Sequence, residues 1–66
     1  MEFRFRLKEL RQENNMTQSD IAKILSTSKM AISHWENGNS EPSIEQLKTL
    51  ATLFNTSVDY LVGFID

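Results

Sequence analysis

Sixty-six residues are enough for a single hydrophobic core, and a chain this short buries only about 60% of the surface its unfolded form exposes. It has no cysteine and no cluster of metal-ligand residues, so neither a disulfide nor a zinc site can reinforce it, and packed helices or a second subunit must. The formal net charge of −2 runs against the basic footprint usual for proteins that bind polyanions, but the charges are unevenly spread. Arg4, Arg6 and Lys8 crowd the first ten residues, while Glu41, Glu45, Asp59 and Asp66 weight the second half.

The N-terminus carries charge with no apolar run behind it, and no apolar stretch approaches the ~20 residues that span a bilayer. The expectation is one soluble, cytoplasmic domain covering residues 1–66, with no cofactor, no metal and no small-molecule ligand. Only two glycines and one proline interrupt the chain, and no stretch alternates at strand period, so the pattern is helical throughout.

The first segment covers about residues 5–14, with Leu7 and Leu10 on one face and Phe3 a turn earlier; Asn15 suits the left-handed stop. Thr17 then caps a second segment, and Asp20 three residues on completes a capping box. Ile21, Ile24 and Leu25 form its apolar face, and Ala22 is small enough for a close helix crossing. Ser26-Thr27-Ser28 favours a turn, because short polar side chains compete with helical hydrogen bonds. Ser28 caps a third segment, Lys29 to Asn37, whose inward face is Ile32 and Trp35 with Ala31 beside them. Gly38 ends it in the left-handed region.

Ser43 and Gln46 form a second capping box. The fourth segment has the fullest apolar stripe: Ile44, Leu47, Leu50, Ala51 and Phe54, closed by Asn55. Ser57 caps a short fifth helix through Val58, Tyr60, Leu61 and Val62, which Gly63 stops. Phe64 and Ile65 trail behind it, two bulky apolar residues that suggest a dimer seam more than packing beneath the first helix. Five short helices with short connections predict an all-α bundle. The turn of about three residues between the second and third marks residues 17–37 as a helix-turn-helix.

That junction points to duplex DNA. A helix that enters the major groove needs one stripe to anchor it and an opposite stripe free of bulky apolar groups. The third segment meets both needs. Ser28, Lys29, Met30, Ser33 and His34 offer donors, acceptors and one flexible apolar group, and are the candidate base contacts. The start of the second segment offers unpaired N–H groups to an anion. The amide of Gln18 there, and that of Asn37 at the far end of the third segment, are candidate phosphate contacts that set register and not sequence. His34, with no second histidine or cysteine near it, is not a metal ligand.

From Leu7 onward the chain resembles the phage-repressor/Cro type of helix-turn-helix, the XRE-like family. The resemblance rests on Arg6-Leu7-Lys8-Glu9-Leu10-Arg11, on Met16-Thr17-Gln18-Ser19-Asp20-Ile21-Ala22-Lys23 and on Ile32-Ser33-His34-Trp35-Glu36-Asn37-Gly38. Pro42-Ser43-Ile44, Leu50-Ala51 and Ser57-Val58-Asp59-Tyr60-Leu61-Val62-Gly63 complete the ordered set. It implies a five-helix, lambda-repressor-like DNA-binding domain, a homodimer on a pseudo-palindromic operator, and a role as a transcriptional repressor. It also implies a structural ion pair between Arg11 and Glu36. Three positions depart from the family. Its favoured turn glycine is Ser26 here, where a left-handed backbone costs about 1–2 kcal/mol. Thr27 replaces a packing apolar residue, and the 39–41 loop has one acid and no base.

The competing reading is a protein-interaction module, of antitoxin or anti-repressor type, on the same helices. Acidity favours it; the polar outer face of the third segment opposes it, since docking helices present apolar anchors at i, i+3 and i+4. Nothing resembles a nucleophile with its base, a carboxylate pair in a pocket or a phosphate-binding loop, so no enzyme is expected.

Overall fold

The computed structural model describes residues 2–65. Five helices run α1 (Phe3–Glu13), α2 (Gln18–Ile24), α3 (Lys29–Asn37), α4 (Ile44–Leu53) and α5 (Val58–Leu61), and no strand occurs among the described residues. None of the helices is long and apolar enough to cross a membrane.

Four of the five helices start on a hydroxyl cap. The Thr17, Ser28, Ser43 and Ser57 side chains each accept from the backbone N–H three residues on. At Thr17 and Ser43 the bond is reciprocal: Asp20 Oδ2 accepts from Thr17 N–H and Gln46 Oε1 from Ser43 N–H, both at 2.8 Å. The bonds from Thr17 hold the Asp20 carboxyl below its usual pKa. α1 differs. It begins two residues earlier than its apolar spacing implies, on Glu2, which makes no side-chain cap bond. Phe3 is almost wholly buried, and that burial, worth about 1.5–3 kcal/mol, stands in for the missing cap.

All five helices end alike. Just past each end, one N–H returns to a carbonyl five residues back, as in Met16 N to Arg11 O, Thr27 N to Ala22 O and Asn39 N to His34 O. The intervening residue is left-handed each time: Asn15, Ser26, Gly38, Asn55 and Gly63. These are Schellman ends, which satisfy orphan carbonyls and turn the chain sharply. The short connections follow from them.

The helices close around Leu7, Ile21, Ile32, Leu50 and Leu61, one from each helix and all fully buried. α2 and α1 both pack on α3, while α5 packs on α4 and α1. Two residues assigned to apolar faces are exposed: Ile24 (47%) and Ile44 (72%). Ile24 sits about 60° around the helix from Ile21, on the side away from Ala22, at one residue per ~100°. There it edges a shallow hollow with Leu53 and Thr52 of α4. Ile44 is the first residue of its helix, at the end of the stripe and beyond the core.

Candidate nucleic-acid interface

α3 is fixed at both ends and along one side. Ile32 and Trp35 are buried, and Gly38 closes its C-terminus with φ +79°. Steps of ~100° per residue put Met30, Ser33, His34 and Asn37 on the side opposite Ile32 and Trp35, with Lys29, in row with Ser33 and Asn37, at the edge of that side. Lys29, Met30, His34 and Asn37 are exposed and Ser33 is half-buried. Met30, at 66% exposure, is the one apolar side chain on this stripe. Asn37 Nδ2 lies 3.4 Å from Ser33 Oγ, linking two members of the row. Ser28 stands apart: it precedes the helix, and its Oγ accepts from Ala31 N–H at 3.1 Å, leaving only the hydroxyl hydrogen to give.

Behind the stripe a polar joint fixes three helices to one another. Arg11 of α1 meets Glu36 of α3 in a two-pronged bond, Nε to Oε2 at 2.7 Å and Nη2 to Oε1 at 3.0 Å. Arg11 Nη1 also donates to Met16 O at 3.0 Å, at the entry to α2. The Glu36 side chain is 4% exposed and that of Arg11 13%. The hydrogen bonds to Glu36 raise the Arg11 pKa above its ordinary value; burial works against this and the Glu36 charge adds to it. Breaking such a pair strands a buried charge.

Gln18 belongs to this joint. Its Nε2 donates to Glu36 Oε1 at 3.1 Å, a contact between residues eighteen apart that no local pattern signals. One amide hydrogen is thereby committed and the other remains, on a side chain at the N-terminus of α2. Arg11, Glu36 and Gln18 therefore lock the mutual angle of α1, α2 and α3 while leaving the outer row of α3 uncovered.

The remaining cations are distributed by the fold. Arg6 donates to Tyr60 O and to Ile65 O, with its guanidinium 4.2 Å from the Tyr60 ring centre. Arg4 lies beside Gly38, and both border a hollow of about 280 Å³ with Phe3, Trp35, Ser40 and Glu41. The Phe64 and Ile65 side chains are exposed and do not pack beneath α1. No group of three acidic, histidine or cysteine side chains among the described residues is placed to hold a metal.

A helix-turn-helix family model matches residues 7–61. The HTH-type transcriptional activator BcrR of Enterococcus faecalis is 40% identical over 63 residues, which are 96% of this chain and 31% of that protein. A transcriptional regulator of Listeria innocua superposes with a TM-score of 0.91 at 33% identity, over 97% of this chain and 60% of the other. The P22 c2 repressor, solved with a synthetic operator, gives 0.85 at 31% identity over 92% of both chains. The curated relatives are longer, and this chain spans between 21% and 54% of their length. The family match along α1–α5, the five-helix order and these likenesses agree: the chain belongs to the helix-turn-helix family, in its XRE, phage-repressor-like branch.

Proposed function

We propose that this chain is a cytoplasmic, sequence-specific double-stranded DNA-binding regulator of transcription that lays α3 in the major groove. The observation carrying the reading is the outer row of α3: Met30, His34 and Asn37 are exposed opposite buried Ile32 and Trp35, with half-buried Ser33 among them and exposed Lys29 at the edge. Lys29, Ser33 and His34 supply hydrogen-bonding groups for base edges, and Met30 an apolar contact for a thymine methyl. Ser28 contributes its hydroxyl hydrogen at the helix start. Gln18, with its free amide hydrogen, and Asn37 bind phosphate and set the register. The role is binding and not catalysis.

The P22 repressor solved with its synthetic operator supports a duplex ligand. Two copies on a pseudo-palindromic site bring their α3 helices into grooves about 34–36 Å apart, one turn of DNA. Relatives include both an activator and repressors. The sense of regulation then follows from where the site lies, and repression results where it overlaps the ground polymerase needs. A protein-docking role would need apolar anchors at i, i+3 and i+4, and Met30 alone on the outer row does not supply them.

Selection from random duplexes should enrich a palindrome with half-sites one turn apart. On that sequence Lys29→Ala with His34→Ala should lose at least about tenfold in affinity, as each good base contact is worth ~1–3 kcal/mol, with circular dichroism unchanged. An unaltered affinity refutes the assignment of the outer row.

A further inference from the structure

The chain's seven basic residues are not equivalent in this fold. Arg11 is locked to Glu36, Arg6 is bonded to the carbonyls of Tyr60 and Ile65, and Lys48 Nζ lies 3.9 Å from Glu45. Between Lys29, the first residue of α3, and Lys48 in α4 there is no lysine or arginine. The distal end of α3 and the 39–41 loop therefore carry no positive charge of their own.

The fold brings one from α1. Arg4 lays its side chain across Gly38: a β-carbon there would stand 3.0 Å from Arg4 Nη1 and 3.1 Å from Cδ. The Arg4 guanidinium carbon is also 4.6 Å from the centre of the exposed Phe5 ring. No carboxylate among the described residues lies within ion-pairing distance of Arg4. The cation is held by an aromatic face and by the negative end of the α3 peptide dipoles, neither of which neutralises it. This accounts for an exposed phenylalanine that contributes nothing to the core.

We propose that Arg4 is a DNA-phosphate contact at the distal end of the recognition helix, a role that rests on the major-groove reading above. Nine residues at ~1.5 Å each make α3 about 13 Å long, close to the ~12 Å width of the major groove. With Lys29 at the base edges, the far end of α3, where Arg4 lies, is about one groove width away and stands near a sugar-phosphate ridge. An arginine fork suits phosphate, donating a two-pronged bond from a planar set of N–H groups to two phosphate oxygens. Gly38 serves twice, giving the left-handed turn and the space the guanidinium occupies.

The test measures affinity of the whole chain for a random-sequence duplex, by fluorescence anisotropy over a series of salt concentrations. Arg4→Ala should flatten the plot of log affinity against log salt by about 0.9 and weaken binding about eightfold near 0.1 M salt, the effect of one phosphate contact. Arg4→Lys should keep most of the slope, and Lys48→Ala should match wild type. A slope unchanged in Arg4→Ala, or an equal loss in Arg4→Ala and Lys48→Ala, overturns the contact while leaving the groove reading intact. Lowered thermal stability in Arg4→Ala with the wild-type slope also overturns it, marking the residue as a mere helix-end partner. A flat salt response in wild type defeats the groove reading itself.

Discussion

Each of the five helices stops on a left-handed residue, and at four of the stops that residue is asparagine or glycine, the types that bear this conformation most easily. Ser26 is the exception, at φ +55° in the turn between α2 and α3. Its side chain is exposed and makes no hydrogen bond within the described residues, so nothing there compensates the strain. Ser26→Gly removes a penalty of about 1–2 kcal/mol and gives back part of it in unfolded-chain entropy. A net gain of about 0.5–1 kcal/mol, or roughly 4–8 °C in Tm per kcal/mol for a domain this size, is expected in thermal melts. An unchanged or lower Tm would mean that the serine has an unseen partner. The departure at Ser26 was legible only through the resemblance to the family, which favours glycine in that turn. What Arg4 does was not, since its contact with Gly38 joins residues 34 positions apart.

Individual helices were readable wherever a hydroxyl residue stands three places before a hydrogen-bonding partner: Thr17 with Asp20 and Ser43 with Gln46 show their caps in the sequence. The start of α1 has no such mark, because tertiary burial of Phe3 and not a local bond holds it. How the elements are joined lies deeper still, in the Arg11–Glu36–Gln18 joint. Removing one partner there leaves a charge buried without compensation. Glu36→Ala should therefore cost about 3–5 kcal/mol, measured by urea unfolding, as it orphans Arg11 and Gln18 together. Replacing both charges with methionine should recover most of that loss, because apolar groups of similar volume need no partner. If Glu36→Ala costs only a few tenths of a kcal/mol, the pair is an ordinary surface one and some other contact sets the angle of α3. The same double replacement separates stability from binding. A well-folded variant with weakened DNA affinity would show that the joint orients Gln18 as well as holding the helices together.

At the scale of the molecule the two ends of the chain are fastened to each other, and the fastening lies away from the outer row of α3. α5 has only four residues, far below the ~12–15 needed for a helix to persist alone. Its stability comes from Leu61, buried in the core, and from Arg6 of α1, whose guanidinium donates to the carbonyls of Tyr60 and Ile65 and lies over the Tyr60 ring. The Arg6 side chain is 14% exposed, so water screens these bonds only weakly. α2 and α3 are tied instead through Ile21, Ile32 and the polar joint. Opening of α5 should therefore be a separate, lower-energy event than opening of the helix-turn-helix, as expected where local units differ in packing. Arg6→Ala removes charge-assisted bonds worth ~1.5–3 kcal/mol. Native-state hydrogen exchange should then show the amides of Leu61 and Val62 losing at least about tenfold in protection, while those of Ile32 and Trp35 stay near wild type. Equal losses in both sets would mean that the molecule opens only as a whole, and that the α1–α5 fastening is part of what keeps α3 in place.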